Sequence, residues 1–404
     1  MKDRVILHCD CNSFFASVET ALCPEYRNVP MAVCGSEELR HGIVLAKNEL
    51  AKAYGIQTAE TVFSARKKCP SLVIAKPHYD AYSAFSKKVN EIYSNYTDKI
   101  EQFGIDESWL DVTDSQRLFG NGLQIAETIR KRVKDEIGIT ISIGVSFNKV
   151  FAKLGSDYKK PDAITLISRE NYTDIVYPLP ACDLLFVGKK TGLALERIGV
   201  YTIGDLAALS SEYLISKFGK LGLMLHKYSR GLDDSEVEPQ DTGDVKSVGN
   251  GYTFKRDLVS LEDVRVGVYY LAEEIARRLR HKGKRAQTIA VTIKDAELHS
   301  IQRQSQMRHS TDIGDEIAKA SLEIFDREWC EGQPIRMITL TASGLVSRDG
   351  EYTQMGMFDE EGDELRRKKD KEREKTVDLI KSKYGTSAIT RGSLIHNDIG
   401  LCDK

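Results

Sequence analysis

Two adjacent carboxylates, Asp106 and Glu107, stand between two short runs of alternating apolar residues, 99–105 and 108–113. Charged groups beside buried strands lower stability unless they bind a cation, because they lose their solvation by water. A third acid, Asp10, ends the first strand-like run of the chain. Three such acids suit a pair of Mg²⁺ ions, since each ion takes one or two protein carboxylates and leaves its other positions to water and phosphate oxygens.

Successive residues of a strand point to opposite faces, so Asp106 and Glu107 cannot both face one site from the middle of a strand. Both can reach it from the turn of a hairpin that joins the two apolar runs. The sequence therefore predicts a hairpin whose turn carries these two acids.

The composition limits the class of protein. With 404 residues the chain is too long for one ordinary core, and about two to four domains are expected. Hydrophobic residues make up 41% and charged residues 29%, which is typical of a soluble globular protein. The apolar runs are short and the N-terminus lacks a signal-peptide pattern, so we expect no membrane association. Eight scattered cysteines without a C-x-x-C pair indicate a reduced, cytoplasmic location.

A basic segment contrasts with the overall formal charge of −2. Between Ala276 and His309 the chain carries nine lysines and arginines against two acids, a local charge of +7. This segment can contact DNA phosphates, and a solvated helix face is the alternative interpretation. The predicted phosphate contacts are Arg278, Arg280, Lys282, Lys284, Arg285, Arg303 and Arg308.

The first part of the chain is predicted to form a mixed domain followed by a helical one. Residues 1 to about 165 mix strand-like runs with long helices, as in an α+β sheet with helices on one face. Residues 174–232 are helical and contain a glycine turn, which suggests a helix-hairpin-helix that binds DNA phosphates through backbone N–H groups at Gly188, Lys189 and Lys190. A helical hairpin that serves only for packing is equally consistent with this segment.

The second part begins after a segment without apolar periodicity. Residues 233–251 are acidic and then glycine-rich, and they indicate an interdomain linker. A compact second α/β module of roughly 100 residues follows. From Asp349 the chain is charged and loop-like, with a short helix predicted at 361–383.

Four sequence blocks occur in order along the chain: Asp10, Asn12–Glu19, Ile105–Ser108 and Gly144–Leu154. With this order and spacing the chain resembles the Y-family translesion DNA polymerases. Within that family it is similar to the bacterial branches around DNA polymerase IV and the catalytic subunit of polymerase V. The resemblance covers about residues 1–345.

The resemblance implies an α+β fold built as a right hand, with a ferredoxin-like palm, small fingers, a helical thumb and a C-terminal α/β little finger. It also implies DNA-templated addition of nucleotides to a primer opposite damaged or undamaged template, with low fidelity and low processivity. The implied partners are primer-template DNA and dNTP, and the protein is expected to be a monomer. The implied boundaries are palm 1–17 and 77–165, fingers 18–76, thumb 166–235, linker 236–250, little finger 251–346 and C-terminal tail 347–404.

The resemblance also assigns the metal ligands. It makes Asp10, Asp106 and Glu107 the catalytic acids that hold two Mg²⁺ ions. The backbone carbonyl of Cys11 completes one of the two ions.

The substrate-binding residues follow from the same resemblance. Phe15 matches the aromatic steric gate that excludes a ribose 2′-hydroxyl. Phe14 is grouped with it, although core packing is the simpler interpretation of its ring. Lys160 matches the lysine that binds the triphosphate as a point charge.

Two positions depart from the pattern of polymerase IV. Glu49 and Lys52 stand where that pattern has Tyr and Arg in contact with the triphosphate. Lys52 keeps a positive charge without the bidentate geometry of arginine, and Glu49 cannot bind phosphate. In the thumb, Phe186 stands where the hairpin motif usually has glycine.

Beyond the little finger, residues 354–358 resemble the pentapeptide that binds the bacterial sliding clamp. Gln354, Met357 and Phe358 are its predicted contact residues, and docking of this segment on the protein's own core is the alternative. Two other functions remain open from the residues alone. One is a DNA-binding accessory protein with a weakened polymerase site, and the other is a nucleotide cyclase.

Overall fold

The fold was analysed in a computed structural model, which describes residues 4–38, 40, 42–239, 245–347, 361–385, 387–395 and 397–401. The chain divides into two compact units. The first comprises residues 1–35 and 43–243, and the second comprises residues 36–42 and 244–404. The clamp-like residues Gln354, Met357 and Phe358 lie outside the described residues.

The first unit contains eight strands and twelve helices among its described residues. The strands are β1 (Ile6–Cys11), β2 (Met31–Cys34), β3 (Val44–Lys47), β4 (Val73–Ala75), β5 (Ile100–Gln102), β6 (Glu107–Asp111), β7 (Ile141–Ser146) and β8 (Ile164–Ile167). The helices are α1 (Phe14–Leu22), α2 (Glu49–Ala53), α3 (Val62–Lys68), α4 (Tyr79–Tyr93), α5 (Gln116–Phe119), α6 (Gly122–Arg132), α7 (Lys149–Tyr158), α8 (Tyr172–Val176), α9 (Lys189–Glu196), α10 (Ile203–Ala208), α11 (Ser211–Phe218) and α12 (Lys220–Ser229).

Five of these strands form the main sheet, in the order β5-β6-β1-β7-β8. Strand β1 lies in the centre and pairs antiparallel with both β6 and β7, while β8 pairs parallel with β7. The register of β1 with β6 places Asp10 directly opposite Glu107. A smaller sheet of β3, β2 and β4 lies between α1 and α4 in the sequence.

Helices cover both faces of the main sheet, so the expectation of helices on one face is wrong. Leu7 and Cys9 belong to a core shared with α4 and α6. The alternate residue Ile6 packs with Ala152 of α7, and the His8 ring contacts Ser156 of the same helix. Alternation along β1 therefore assigns α7 to the second face. Helical periodicity in the sequence shows that a helix has an apolar side but not which face of the sheet that side covers.

Helix α7 comes close to the sheet because β7 has no side chain at Gly144. A Cβ at Gly144 would lie 1.8 Å from the carbonyl oxygen of Ala152 and 2.5 Å from the backbone nitrogen of Ser156. Neither atom can move without displacing the helix, since both belong to its backbone. The glycine thus fixes how closely the residues of α7 approach the central strands.

Helices α8 to α12 form the remainder of the first unit around an apolar core that they share with α7. The core includes Leu184, Leu195, Ile203, Leu214 and Leu225, all of them buried. Several of these helices begin with a side-chain cap, such as the capping box at the start of α10. The helical prediction for this region is confirmed.

The second unit contains four strands and three helices among its described residues. They are β9 (Ser247–Leu258), α13 (Leu261–His281), β10 (Lys284–Asp295), β11 (Ser300–Thr311), α14 (Gly314–Glu328), β12 (Ile335–Ser347) and α15 (Glu361–Tyr384). The strands form an antiparallel sheet in the order β11-β10-β12-β9, and α13 and α14 pack on one face. Strand β9 starts at Ser247, inside the predicted linker, because Ser247 already pairs with Ser343 of β12.

The segment predicted as a loop-like tail packs into the second unit. The predicted helix over 361–383 corresponds to α15. After it, Leu394, Ile399 and Leu401 are buried in the same core as α13. The backbone N–H of Lys255 in β9 also donates to the carbonyl of Ile399 at 3.0 Å. These contacts make the end of the chain a structural part of this unit.

The close packing at Gly144 generates a prediction about stability. Gly144→Ala should lower the free energy of unfolding by about 1–3 kcal/mol or more, because the new Cβ overlaps the backbone of α7. Gly192→Ala in α9 is the matched control, since its Cβ would lie 3.6 Å from the Cys182 Cβ, an ordinary contact. Inside a helix this change should raise stability by about 0.5–1 kcal/mol. Urea denaturation measures both, and equal effects would contradict the packing described for α7.

Candidate active site

The predicted hairpin is present at the end of the main sheet. The backbone N–H groups of Phe103 and Gly104 both donate to the carbonyl of Glu107, at 3.0 and 3.3 Å. Asp106 therefore lies in the turn, and Glu107 is the first residue of β6. The carbonyl of Asp106 accepts from the N–H of Cys11 at 3.0 Å, which ties the turn to the end of β1. The backbone thus brings the three acids to adjoining strand ends.

Two lysines neutralise two of these acids. The ammonium of Lys160 lies 2.7 Å from a carboxylate oxygen of Asp10 and 2.7 Å from one of Asp157. Lys153 of α7 donates a short hydrogen bond to Oε2 of Glu107. Both lysines are less than a third exposed, so these pairs are screened less than surface pairs. Asp10 and Glu107 thus each have a cation beside them, whereas among the described residues no ion pair involves Asp106.

The three acids are near one another without forming a closed ligand cage. Within the part of the chain that the structure describes, one group of three possible ligands has its atoms within 4.8 Å of one another. That group is Asp295, Glu297 and His299, at the turn between β10 and β11. His299 is 81% exposed, and exposed acids cluster in this way without binding an ion.

Burial and neighbouring charged groups shift the pKa values of the three acids in opposite directions. Burial raises the pKa of Asp106 to about 6, and the nearby carboxylates of Asp10 and Glu107 add to this effect. Burial also raises the pKa of Asp10, although Lys160 opposes it. For Glu107 burial alone would raise the pKa, but the contacts with His8 and Lys153 outweigh it and lower the pKa to about 2. Negative charge at Asp106 is therefore the least compensated of the three.

Aromatic rings line the start of α1. The ring of Phe15 stacks on Tyr82 of α4, with 4.1 Å between the centroids and 11° between the planes. It also meets the edge of Tyr79, at a centroid distance of 6.1 Å. Phe14 is only 3% exposed and belongs to the core of the main sheet, so we correct its grouping with the substrate-binding residues. Phe15 is half-buried, and its orientation is set by the stacked tyrosine.

A cavity of about 300 Å³ lies beside the first turn of α1. Its walls include Asn12, Ser13, Arg27, Glu49 and Pro161. Asn12 and Pro161, which lie within two residues of Asp10 and Lys160 in the sequence, thus border an open space large enough for phosphate groups. Helix α1 begins after Ser13, which adopts a left-handed conformation with a φ of 47°. The N–H groups of its first turn lack a side-chain cap and can receive an anion.

The two positions that depart from the polymerase IV pattern, Glu49 and Lys52, lie at this cavity or near it. Asn48 caps α2 and Glu49 follows it, with a contact of 3.4 Å from the hydroxyl of Ser13. Lys52 lies 3.6 Å from Glu49, and both side chains are at least half exposed. Lys52 is therefore partly neutralised by its own neighbour. Arg27, which the sequence reasoning missed, supplies a further cation to the cavity wall.

The predicted DNA contacts at Gly188, Lys189 and Lys190 occupy a helix terminus. Gly188 is the N-cap of α9, and Lys189 and Lys190 form its first turn. Lysine is unfavourable at a helix N-terminus unless an anion is nearby, because the helix dipole is positive there. Phe186 has a φ of 69° and is 54% exposed, so a large side chain occupies a conformation that usually requires glycine.

The structure gives part of the predicted basic cluster a different role. The guanidinium of Arg280 is only 7% exposed and lies 3.0 Å from Glu374 and 2.6 Å from Asp378, both on α15. Arg280 therefore holds the C-terminal helix against α13, and we correct its assignment as a phosphate contact. Arg303 likewise lies 3.0 Å from Glu328 of α14. Arg280 is thus neutralised inside the second unit, whereas the Arg303 side chain is 53% exposed and its phosphate contact stays a prediction.

The remaining members of the cluster differ in exposure. Arg285 is only 17% exposed and lies 3.9 Å from Asp312. Arg278 is 42% exposed at the end of α13, with Glu274 at 3.8 Å. Lys282 is exposed at the C-cap of the same helix, and Lys284 begins β10. Arg308 lies in β11. Phosphate contacts at these positions stay predictions.

The sheet of the second unit has a face opposite its helices that the sequence reasoning missed. In β12 the residues Ile338, Leu340 and Ala342 face the core, so the alternate positions face the other side. The register continues this face across all four strands. Its central positions are Gly249, Gly251, Thr288, Ala290, Thr292, Gln302, Gln304, Gln306, Thr339, Thr341 and Ser343. The alternation of apolar and hydroxyl residues over 338–343 was the signal that could have found it.

Among the described residues, we find no helix that combines the length and the apolar character needed to cross a lipid bilayer.

Comparison with known protein families agrees with this organisation. Residues 9–157 match the impB/mucB/samB family, and residues 245–357 match the C-terminal domain of that family. Residues 183–233 match a domain described as the thumb domain of DNA polymerase iota.

Individual relatives match nearly the whole chain. DNA polymerase IV of Acetivibrio thermocellus is 45% identical over 399 residues, which cover 98% of this chain and 99% of that protein. DNA polymerase IV of Moorella thermoacetica is 37% identical, with 96% of each protein covered. A solved Y-family DNA polymerase chimera has a TM-score of 0.75 and 23% identity, over 85% of this chain and 99% of its own.

The chain therefore belongs to the bacterial Y-family of DNA polymerases, and the expected α+β polymerase fold is confirmed. It is a DNA-directed DNA polymerase of the translesion type.

The reassigned Arg280 generates a prediction. Arg280→Ala leaves two carboxylates without their cation, and loss of one partner of a buried pair costs about 3–5 kcal/mol. Because Asp378 is 28% exposed, we expect the lower end of that range. Arg278→Ala, on the same helix and 42% exposed, should change stability by less than about 0.5 kcal/mol. Thermal denaturation compares the two variants, and a DNA-binding defect without loss of stability in Arg280→Ala would contradict the assignment.

Proposed function

We propose that this polymerase adds nucleotides to a primer by two-metal nucleotidyl transfer at Asp10, Asp106 and Glu107. The observation that carries the proposal is the pairing of Asp10 with Glu107 across two antiparallel strands, with Asp106 in the adjoining turn. The donor set consists of carboxylates, which suits a hard cation that handles phosphate. The raised pKa of Asp106 shows that its charge is poorly compensated by the protein alone. The residues therefore fit Mg²⁺.

Each group of the site has a proposed task. Asp10, Asp106 and Glu107 hold two ions together with the backbone carbonyl of Cys11. When bound there, Mg²⁺ lowers the pKa of the primer 3′-hydroxyl and neutralises the triphosphate and the departing pyrophosphate. Lys160 exchanges its partner Asp10 for the triphosphate, which it binds as a point charge.

The cavity beside α1 is proposed to hold the triphosphate. Its size and the unpaired N–H groups of the first turn of α1 support this assignment. Glu49 and Lys52 contribute little net charge there, because they pair with each other. Arg27 is the cation on the cavity wall that we propose to take over part of that role. A weakened polymerase site, the alternative that Glu49 favours, would show as poor dNTP affinity in a primer-extension assay.

Primer-template DNA is proposed to bind at two surfaces, one in each unit. In the first unit, the N-terminus of α9 with Lys189 and Lys190 offers N–H groups and positive charge to a phosphate. In the second unit, the face opposite the helices offers small hydroxyl and amide side chains that admit close approach of a DNA backbone. Arg278 and the exposed Lys282, at the end of α13, and the half-buried Lys284, at the start of β10, are proposed to add charge in the same unit.

The proposal extends to a sliding clamp as partner. Gln354, Met357 and Phe358 form a pentapeptide that resembles the clamp-binding motif, in an otherwise charged segment. Such a contact would raise the local concentration of the enzyme at the primer end without changing its chemistry.

The metal assignment predicts loss of activity without loss of DNA binding. Asp106→Ala removes a ligand, and metal ions supply several kcal/mol of charge stabilisation in the transition state, so nucleotide addition should fall at least about a hundredfold. Asp114→Ala, an exposed acid on the same unit, is the control and should act like wild type. Primer extension measures the rate and fluorescence anisotropy measures the affinity for primer-template. A rate of primer extension within about tenfold of the wild-type rate would contradict the assignment.

Phe15 is predicted to exclude ribonucleotides. Phe15→Ala opens the space beside the sugar, and a contact of this size is worth about 10–200-fold in discrimination, so rNTP incorporation should rise accordingly. Phe15→Tyr keeps the ring and should keep the discrimination. Single-nucleotide incorporation with dNTP and rNTP gives the ratio. If Phe15→Ala discriminates as strongly as wild type, the ring serves only to pack on Tyr82.

The two kinds of DNA contact differ in their response to salt. Lys282→Gln with Lys284→Gln should flatten the slope of log K against log salt by about 0.9 for each phosphate contact that is lost. Thr339→Val with Thr341→Val should weaken binding by about 0.5–1.5 kcal/mol for each lost hydrogen bond and leave the slope unchanged. Binding titrations over a range of salt concentrations separate the two kinds of contact. An unaltered slope in the lysine variant would mean that these lysines do not contact phosphate.

A further inference from the structure

The buried histidine of β1, which the proposed reaction does not use, makes two polar contacts. His8 is 0% exposed. Its Nδ1 lies 2.8 Å from the hydroxyl oxygen of Ser156 in α7, and its Nε2 lies 3.3 Å from Oε2 of Glu107 in β6. The ring also packs on Trp109, with 5.1 Å between the ring centroids. Three elements therefore fix its position.

The geometry selects one tautomer of a neutral ring. If Nδ1 carried the proton, the lone pair of Nε2 would face a carboxylate oxygen, and the two would repel each other. If Nε2 carries the proton, it donates toward Glu107 and Nδ1 accepts from Ser156. The hydroxyl of Ser156 has one proton and lies 2.8 Å from both Nδ1 and the carbonyl of Lys153, so in this tautomer it donates to Nδ1 instead of to Lys153. Ser156 is thus the donor that this tautomer requires at Nδ1.

The polar contacts of the Glu107 carboxylate with the described residues involve only one of its two oxygens. The His8 nitrogen approaches Oε2, and Lys153 donates to the same oxygen. Among the hydrogen bonds of the described residues, none reaches Oε1. In the present arrangement Nε2 approaches Oε2 without an aligned hydrogen bond, which leaves a buried polar atom unsatisfied. A small rotation of the Glu107 carboxyl that completes this bond leaves Oε1 free for a cation.

We propose that His8, oriented by Ser156, is a positioning residue that holds the Glu107 carboxylate so that Oε1 faces a divalent cation. This assignment rests on the proposed metal site and adds the residues that orient one of its ligands. A merely packed position would not require a polar ring, because burial of an imidazole costs free energy that an apolar side chain avoids. Ile6, two residues earlier on the same face of β1, shows that an apolar side chain is accommodated there.

The test compares side chains that mimic the two ring nitrogens separately. His8→Gln keeps an N–H group near the position of Nε2, whereas His8→Asn reaches only to the position of Nδ1. The affinity for Mn²⁺ is measured by electron paramagnetic resonance on the enzyme with primer-template and a non-hydrolysable dNTP. Groups that orient a metal ligand typically change metal affinity by 10–100-fold, so His8→Asn should weaken Mn²⁺ binding by about that factor. His8→Gln should stay close to wild type.

Two further variants separate positioning from packing. Ser156→Ala removes the hydroxyl that contacts Nδ1 and orients the ring, so it should weaken Mn²⁺ binding in the same direction as His8→Asn, by a smaller factor. Ile6→Val perturbs the same packed face without touching Glu107 and should leave Mn²⁺ affinity unchanged. Circular dichroism and primer-template affinity confirm that each variant is folded. If His8→Asn does not fold, the Mn²⁺ affinities of Ser156→Ala and Ile6→Val are compared instead. A loss in Ser156→Ala without a loss in Ile6→Val supports the positioning role, and equal affinities overturn it.

The outcomes distinguish this inference from the function on which it rests. Equal Mn²⁺ affinity in wild type, His8→Asn and Ser156→Ala would overturn the positioning role, as would equal losses in His8→Asn and His8→Gln. If Asp106→Ala abolishes Mn²⁺ binding while His8→Asn retains it, only the role of His8 fails. If Asp106→Ala binds Mn²⁺ as tightly as wild type, the metal site itself fails.

Discussion

The pairing of β1 with β6 is the constraint on which the active site depends. Its register places Asp10 opposite Glu107, and the bond from the Cys11 N–H to the Asp106 carbonyl fixes the turn beside it. Because side chains alternate along a strand, a shift by one residue would turn these acids to the wrong faces. The long-range pairing of residues about a hundred positions apart thus creates the local concentration of negative charge.

Helix α7 completes the site from the second face of the sheet. It can approach because Gly144 has no side chain, and it brings Lys153 and Ser156 against the ends of β1 and β6. One packing contact therefore supplies both the cation beside Glu107 and the hydroxyl that orients His8. The acids of a metal site cost stability in the absence of an ion, and these ammonium partners offset part of that cost.

The second unit divides its charged and neutral residues between two faces. Ion pairs such as Arg280 with Asp378 join α15 to α13, while threonine, serine and glutamine occupy the face opposite the helices. A basic segment in the sequence does not by itself mark a DNA-binding surface, because arginines can be neutralised by acids that lie far along the chain. The proposed DNA contacts here combine hydrogen-bonding side chains with the basic residues Arg278, Lys282 and Lys284.

The sequence by itself determined the family, the candidate acids and the hairpin that carries Asp106 and Glu107, because motif order and strand alternation are local properties. It left Phe14 between the substrate site and core packing, and the burial of its ring in the core of the main sheet decided between them. Only the tertiary structure decided that α7 covers the second face, that Arg280 serves α15, and that His8 contacts Glu107. Those facts depend on contacts between residues 46 to about 150 positions apart, and no local pattern encodes which distant partner a side chain meets.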